Sequence, residues 1–302
     1  MYSLIKQYRL LSIVYIFLFL LSGCAKRATQ QSTSQTKTSL WKVESSTATV
    51  YLLGSIHVLK QSDYPLPVSM ENAYSAVQRL YFEVHLDSAE NPMAQAKILS
   101  RSFLPGDSTL ADCIPDTLLK QVRDKAEELG VQSTMFNKMR PWMVGMTLAL
   151  LKMQRTGIYP QYGIDFYFFK RARLDRKEAS GLESVEFQAS LLGHLSMLDQ
   201  AEYLQYTMTD LDRIDSELGK MVTAWRNGNS ELLESLLNDG FKGYPELYDL
   251  MVVKRNQKWM PKIRKALSGY MPTLFVVGAA HLVGDDGLVR LLQKEGYTVQ
   301  QL

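Results

Sequence analysis

The chain has 302 residues, 46% of them hydrophobic and 22% charged, which is enough apolar material for one large core or two small ones and excludes a disordered tail. Its formal net charge of +3 drops further once Lys6 and Arg9 leave with the leader described next, so no basic field points to nucleic acid.

The first residues read as a targeting signal. Lys6 and Arg9 form a positive start, and Leu10 to Leu21 is an apolar run shorter than the roughly 20 residues a spanning helix needs. Leu21-Ser22-Gly23-Cys24 closes the run and resembles a bacterial lipobox, which implies cleavage before Cys24 and lipidation of that cysteine. Residues 1–23 are then a lipoprotein signal peptide. Ala25 and Lys26 follow with no acidic sorting residue, which implies a lipid-anchored protein of the bacterial envelope, on the outer membrane facing the periplasm. Residues 24–40, rich in Ser, Thr, Gln and Lys, have little to bury and read as a flexible tether, leaving residues 41–302 as the folded domain. With Cys24 lipidated, Cys113 is the only thiol left, so no internal disulfide forms; Cys113 reads as a buried apolar filler.

Leu40 to Glu44 and Thr47 to Leu53 read as two strands across a Ser-Ser-Thr turn, followed by a helix from Ser69 to Arg79 and a strand from Leu80 to Val84. The middle is helical: Pro115 to Leu129, Trp142 to Arg155, Ile164 to Leu174, Ser184 to Tyr203, Thr209 to Arg226, Ser230 to Leu237 and Pro245 to Leu267. Thr273 to Val277 is a buried strand, Asp286 to Glu295 a helix and Tyr297 to Gln301 a closing strand, a β-α-β unit expected to have parallel strands. The fold class is α/β: a mixed sheet with a site at its strand ends and a large helical segment packed over it.

Two of the four histidines stand in one frame, Gly54-Ser55-Ile56-His57 and Gly278-Ala279-Ala280-His281, each just beyond an apolar strand, where open α/β sheets hold their ligands. Glu83 lies near the end of the strand between them. Alternation puts it with Tyr81 on one face, toward solvent or a polar pocket, and solvent is the simpler outcome. His85 reads as a solvent-facing strand-end residue and His194 as a core-edge residue on a helix. Trp142, Trp225 and the aromatic run Tyr167 to Phe169 read as packing.

These blocks, with Arg140-Pro141-Trp142, Tyr162-Gly163-Ile164-Asp165, Gly181-Leu182-Glu183 with Gln188, Ala224 to Gly228, Lys254-Arg255-Asn256 and Gly278 to Gly284 with Gly287, stand in the order found in the TraB/PrgY/GumN family, which the chain resembles from Trp41 to Leu302. The animal members of that family, the TIKI proteins, are membrane-tethered metalloproteases, and the fold is likened to that of erythromycin esterases and ChaN-like proteins. The resemblance implies that His57, Glu83 and His281 ligate a divalent metal, Mn, Co or Zn, leaving positions open for water and a peptide or protein substrate. Arg255 falls in the stripe Leu247, Met251, Trp259, Ile263 on the packed side of a helix, and a guanidinium there needs a carboxylate. Asp165 and Glu183 are candidates for that partner, for metal ligation or for general acid/base work, with a structural ion pair as the equal alternative. Asn256 either hydrogen-bonds substrate or caps a turn. The expected function is metal-dependent hydrolysis, of a peptide bond in the first instance, with Glu83, Arg255, Asn256, Glu183 and Asp165 as catalytic candidates. A non-catalytic peptide-binding lipoprotein and an esterase-like hydrolase of a small molecule are the alternatives.

Overall fold

A computed structural model of the chain describes residues 37–302. The expected leader, Cys24 and nearly all of the tether lie outside the described residues. The strands are β1 (Leu40–Glu44), β2 (Thr49–Ser55), β3 (Leu59–Lys60), β4 (Arg79–Val84), β5 (Ile158–Tyr159), β6 (Glu178–Glu183), β7 (Thr273–Gly278) and β8 (Thr298–Gln301). The α-helices are α1 (Val68–Ser75), α2 (Pro92–Ser102), α3 (Asp116–Glu128), α4 (Pro141–Arg155), α5 (Ile164–Leu174), α6 (Val185–Gly193), α7 (Met197–Asp210), α8 (Ile214–Arg226), α9 (Ser230–Gly240), α10 (Pro245–Tyr248), α11 (Lys254–Leu267) and α12 (Leu288–Lys294). Among the described residues no helix is long and apolar enough to cross a membrane.

Six strands form one mixed sheet in the order β6-β4-β7-β2-β1-β8, and β3 pairs with β5 in a separate ribbon. The Thr-Leu-Phe-Val-Val-Gly run of β7 is buried at every position, as a strand covered on both faces must be. It pairs in parallel with β2 on one side and β4 on the other, and β4 pairs in parallel with β6. The C-terminal ends of four adjacent strands therefore share one edge of the sheet. Ser55 sits opposite Gly278, and Val84 opposite Glu183, in the strand register. That shared edge is where the two histidine frames emerge.

The expected mixed α/β architecture is what the chain adopts, with four departures in detail. β6 is an edge strand of sequence Glu-Ala-Ser-Gly-Leu-Glu, without the β-branched or aromatic residues that mark a strand, so its pairing comes from β4 rather than from propensity. The single helix expected from Ser184 to Tyr203 is two, because Ser196 and Asp199 form a reciprocal capping box that starts α7 afresh. α2, absent from the sequence reading, begins at Asn91, whose side chain accepts from the backbone of Met93 and Ala94, with Pro92 in the first turn. β7 and β8 run in the same direction but are not neighbours, since β2 and β1 lie between them and β8 pairs antiparallel with β1.

Candidate active site

The loops beyond β2 and β7 each deliver a histidine to the shared sheet edge, and the last residues of β4 and β6 each present a glutamate. Beyond β2, His57 turns its Nδ1 to the Asp165 Oδ1 at 2.8 Å, and Ser55 donates to the same oxygen at 2.5 Å. Asp165 stands in the first turn of α5, where the helix dipole favours an anion. It gets there because Gly163 lets α5 begin against the loop: a Cβ on residue 163 would lie 2.3 Å from the His57 carbonyl oxygen. The Ile164 N–H donates to the carbonyl of Ile56, tying the two segments together. Trp225, buried in α8, donates from Nε1 to the Gly54 carbonyl at 2.6 Å and braces the same loop from the other side.

Beyond β7, His281 is buried with its Nδ1 2.8 Å from Asn256 Oδ1. Asn256 Nδ2 donates to the carbonyls of His281 and Asp286, so the Asn256 oxygen must accept and His281 carries its proton on Nδ1. This neutral tautomer leaves a lone pair on Nε2. Arg255 Nη1 donates to it at 3.0 Å.

Glu83 ends β4 only 6% exposed, which corrects the expectation that it faces solvent. Alternation names the side of the sheet on which a residue lies, and helices cover that side here. Its Oε1 accepts the Gly278 N–H at 2.7 Å, and its Oε2 accepts Gln188 Nε2 at 2.7 Å and Arg255 Nη2 at 2.5 Å. Arg255, itself 3% exposed, also bonds Glu183 at 2.7 Å, and Trp259 Nε1 donates to that carboxylate. Of the two carboxylates proposed for Arg255, Glu183 is the partner; Asp165 serves His57 instead, and the second partner is Glu83. His57 Nε2 and His281 Nε2 each lie 3.8 Å from Glu83 Oε1. The two imidazoles and the carboxylate thus converge on one spot, with His57, 56% exposed at its side chain, as the member facing outward.

The charges follow from this packing. Although its ring is half-exposed, the protein packed around His57 works against a charge there, but Asp165 and Glu83 outweigh this and raise its pKa to about 9. Burial lowers that of His281 to about 3, with Arg255 adding to the effect against the pull of Glu83. Burial would raise Glu83, yet Arg255, both histidines and the Gly278 N–H hold it well below the usual carboxylate range. Glu183 is pushed up, chiefly by burial and despite Arg255, so the two glutamates on one guanidinium are driven apart.

Two imidazoles and a carboxylate are donors of the kind that divalent ions take. A Cβ on Gly278 would lie 3.1 Å from Glu83 Oε1, 3.4 Å from His57 Nε2 and 3.6 Å from His281 Cδ2, so the glycine keeps the space among these three open. Two ligands at about 2.1 Å from one ion stand at most about 4.2 Å apart, and the 3.8 Å separations fall within that limit. Among the described residues no group of three or more His, Cys, Asp or Glu is placed so that it could hold a metal ion, and Arg255 bonds His281 Nε2 and the other oxygen of Glu83.

Gln188, Ser55 and Gly278 were not foreseen as site residues. Gln188 was visible as a family block, and Gly278 as the glycine of a histidine frame, but Ser55 carried no separate signal. The remaining histidines stand apart: His85 packs edge-on against Phe169, and His194 is exposed at the end of α6 rather than at a core edge. Cys113 is half-buried, its thiol pushed up by burial and by Asp112.

A mixed sheet whose parallel strand ends gather two histidines, a buried glutamate and a bridging arginine is the class of protein in hand. The chain matches the model of the TraB/PrgY/gumN family over residues 39–301, and it belongs to that family. It is 26% identical over 244 residues to the uncharacterized protein YbaP of Escherichia coli, covering 80% of this chain and 87% of that one. It is 21% identical over 335 residues to the metalloprotease TIKI1 of Danio rerio, covering 92% of this chain and 65% of that one. An uncharacterized protein of Treponema pallidum is 20% identical over 312 residues, covering 93% and 88%. No solved structure matches.

Proposed function

We propose that the protein is a metal-dependent hydrolase, acting on a peptide bond of an extracytoplasmic peptide or protein. The observation that carries this reading is the convergence of His57 Nε2 and His281 Nε2 on Glu83 Oε1 around the space beside Gly278. The kinship with TIKI1, a metalloprotease by name, supports it. His57, His281 and Glu83 would hold the ion, whose Lewis acidity polarises a carbonyl and makes water a stronger nucleophile. Asp165 and Asn256 would fix the two rings at Nδ1, and an ion would take the place of the Nε2 proton of His57 and of the Arg255 hydrogen bond to His281 Nε2. Arg255 keeps Glu83 anionic. Glu183 and Trp259 hold the guanidinium in place. The half-exposed face of His57 is the side from which a substrate approaches.

The test is calorimetric titration of Mn²⁺, Co²⁺ and Zn²⁺ into chelator-treated full-length protein in detergent, beside mass spectrometry of a peptide library incubated with each ion. Ion uptake that His57→Ala and His281→Ala each abolish without changing the circular dichroism, together with new peptide termini that chelation suppresses, is the expected result. Uptake of no ion, or unchanged peptides with every ion, would overturn the reading. We also propose that Cys24 carries the lipid and holds the protein on the outer membrane facing the periplasm; a mature N-terminal fragment whose mass lacks acyl chains would refute this.

A further inference from the structure

The outer face of α11 carries Lys254, Lys258, Lys262 and Lys265, all exposed. At 3.6 residues per turn these four fall within an arc of about 80°, whose Lys262 edge adjoins the buried row Arg255, Trp259 and Ile263. One carboxylate answers them: Lys254 pairs with Asp249 at 2.6 Å. Among the described residues Lys258, Lys262 and Lys265 enter no ion pair, and Glu183 beneath them is taken by Arg255. Two of the lysines are nonetheless held in place. Lys258 Nζ sits 4.4 Å from the centre of the Phe187 ring on α6, and Lys262 Nζ donates to the carbonyls of Gly181 and Leu182 at 2.9 and 2.7 Å.

The direction of α11 ties this stripe to the site. Arg255 and Asn256 open the helix at the strand-end cluster, whereas the Leu267 carbonyl at its far end accepts from Ser45 and Thr47, in the turn that precedes β2. The stripe therefore begins beside Arg255, meets the C-terminal end of β6 at Lys262, and heads away from the strand-end cluster toward the β1–β2 turn. Four helical residues advance about 6 Å, and two residues of an extended chain advance about 6.6 Å. The row Lys254, Lys258 and Lys262, spaced by four, thus matches carboxylates on every second residue of an extended peptide, and Lys265 lies three residues, about 4.5 Å, beyond it. Lysines already held by a ring and by carbonyls lose less freedom on binding than free ones.

We propose that an acidic peptide segment, with carboxylates at alternate positions, docks along Lys254, Lys258, Lys262 and Lys265 and delivers the adjoining peptide to the site. This names the substrate class of the hydrolase and rests on that reading for what happens after docking.

The experiment measures fluorescence anisotropy of three labelled peptides on the full-length protein: one alternating aspartate with alanine, one with the same aspartates in a block, and one alternating lysine with alanine. Vesicles of phosphatidylglycerol run in parallel, and Lys258→Glu with Lys265→Glu forms the double variant. The alternating acidic peptide is expected to bind about tenfold more tightly than the lysine peptide and more tightly than the block, with affinity falling as salt rises and dropping about tenfold in the double variant. Binding should persist in Gly278→Ala, which leaves the stripe untouched. Equal binding by wild type and double variant, or stripe-dependent capture of vesicles without capture of peptide, would overturn the proposal. Peptide capture without cleavage under any ion leaves docking standing and removes the hydrolase. Cleavage of acidic and neutral peptides alike by both proteins does the reverse.

Discussion

Arg255 is the residue on which the cluster turns. Its guanidinium bridges Glu83 and Glu183 and donates to His281, all within a region nearly closed to water. Replacing it with methionine removes the counter-charge from two buried carboxylates, and a cost of about 3–5 kcal/mol is expected in the urea unfolding midpoint of the ion-free protein. Lysine should not restore it, because a single ammonium cannot address both carboxylates and the imidazole with the geometry of the planar fork. Gly278 makes the opposite case, since its contribution is an absence. Its φ of −49° and ψ of 137° suit alanine, so Gly278→Ala should fold with an unchanged circular dichroism spectrum while the added methyl fills the space among the donors. Calorimetry should then find ion binding reduced by at least about tenfold, the cost of displacing one ligand.

At the scale of elements, the site depends on how two helices meet two loops. α5 begins against the His57 loop only because residue 163 has no side chain. Gly163→Ala places a methyl 2.3 Å from a backbone oxygen, which cannot move without pulling His57 away from Asp165. This variant should lose about 2–4 kcal/mol of stability by denaturant titration, and the His57 proton resonance should titrate at lower pH than in the wild type, since the Asp165 charge that raises it is lost. α11 is entered through a π-helical stretch, Asp249–Val253, where Arg255 Nη1 also donates to the Met251 carbonyl. Just beyond that stretch consecutive residues serve separate partners, Arg255 the glutamates and Asn256 His281, as the roughly 100° between neighbours on an α-helix allows.

For the whole molecule, the opposed histidine shifts set a pH range. His57 rises from an ordinary 6.5 to about 9, so its charged form stabilises the fold fully below 6.5 and this contribution is lost as pH climbs through about 9. His281 falls from 6.5 to about 3, so the unfolded chain takes up its proton first and the fold loses stability as pH drops from 6.5 toward 3. Glu83 and Asp165, both held below their ordinary values, add to the loss at the acid end. The ion-free protein should therefore have its highest urea midpoint near pH 6.5 and lower values at pH 4.5 and pH 9.5, whereas a midpoint still rising at pH 9.5 would contradict the charge on His57.

How much of this was legible in the chain depends on the range of each interaction. The apolar runs of β2, β4 and β7, the helix caps and the two glycine-histidine frames are local patterns, and they placed His57, Glu83 and His281 at strand ends before any contact was known. The ordering of eight short blocks likewise identified the family, since order along a chain is itself a sequence property. Burial of Glu83, the pairing of β6, and the choice of Glu183 and Glu83 over Asp165 for Arg255 were decided only by the tertiary fold. Those outcomes depend on which helix covers which face and which strands lie side by side, and residues as distant as Glu83 and Gly278, 195 positions apart, meet only once the parallel strands share an edge.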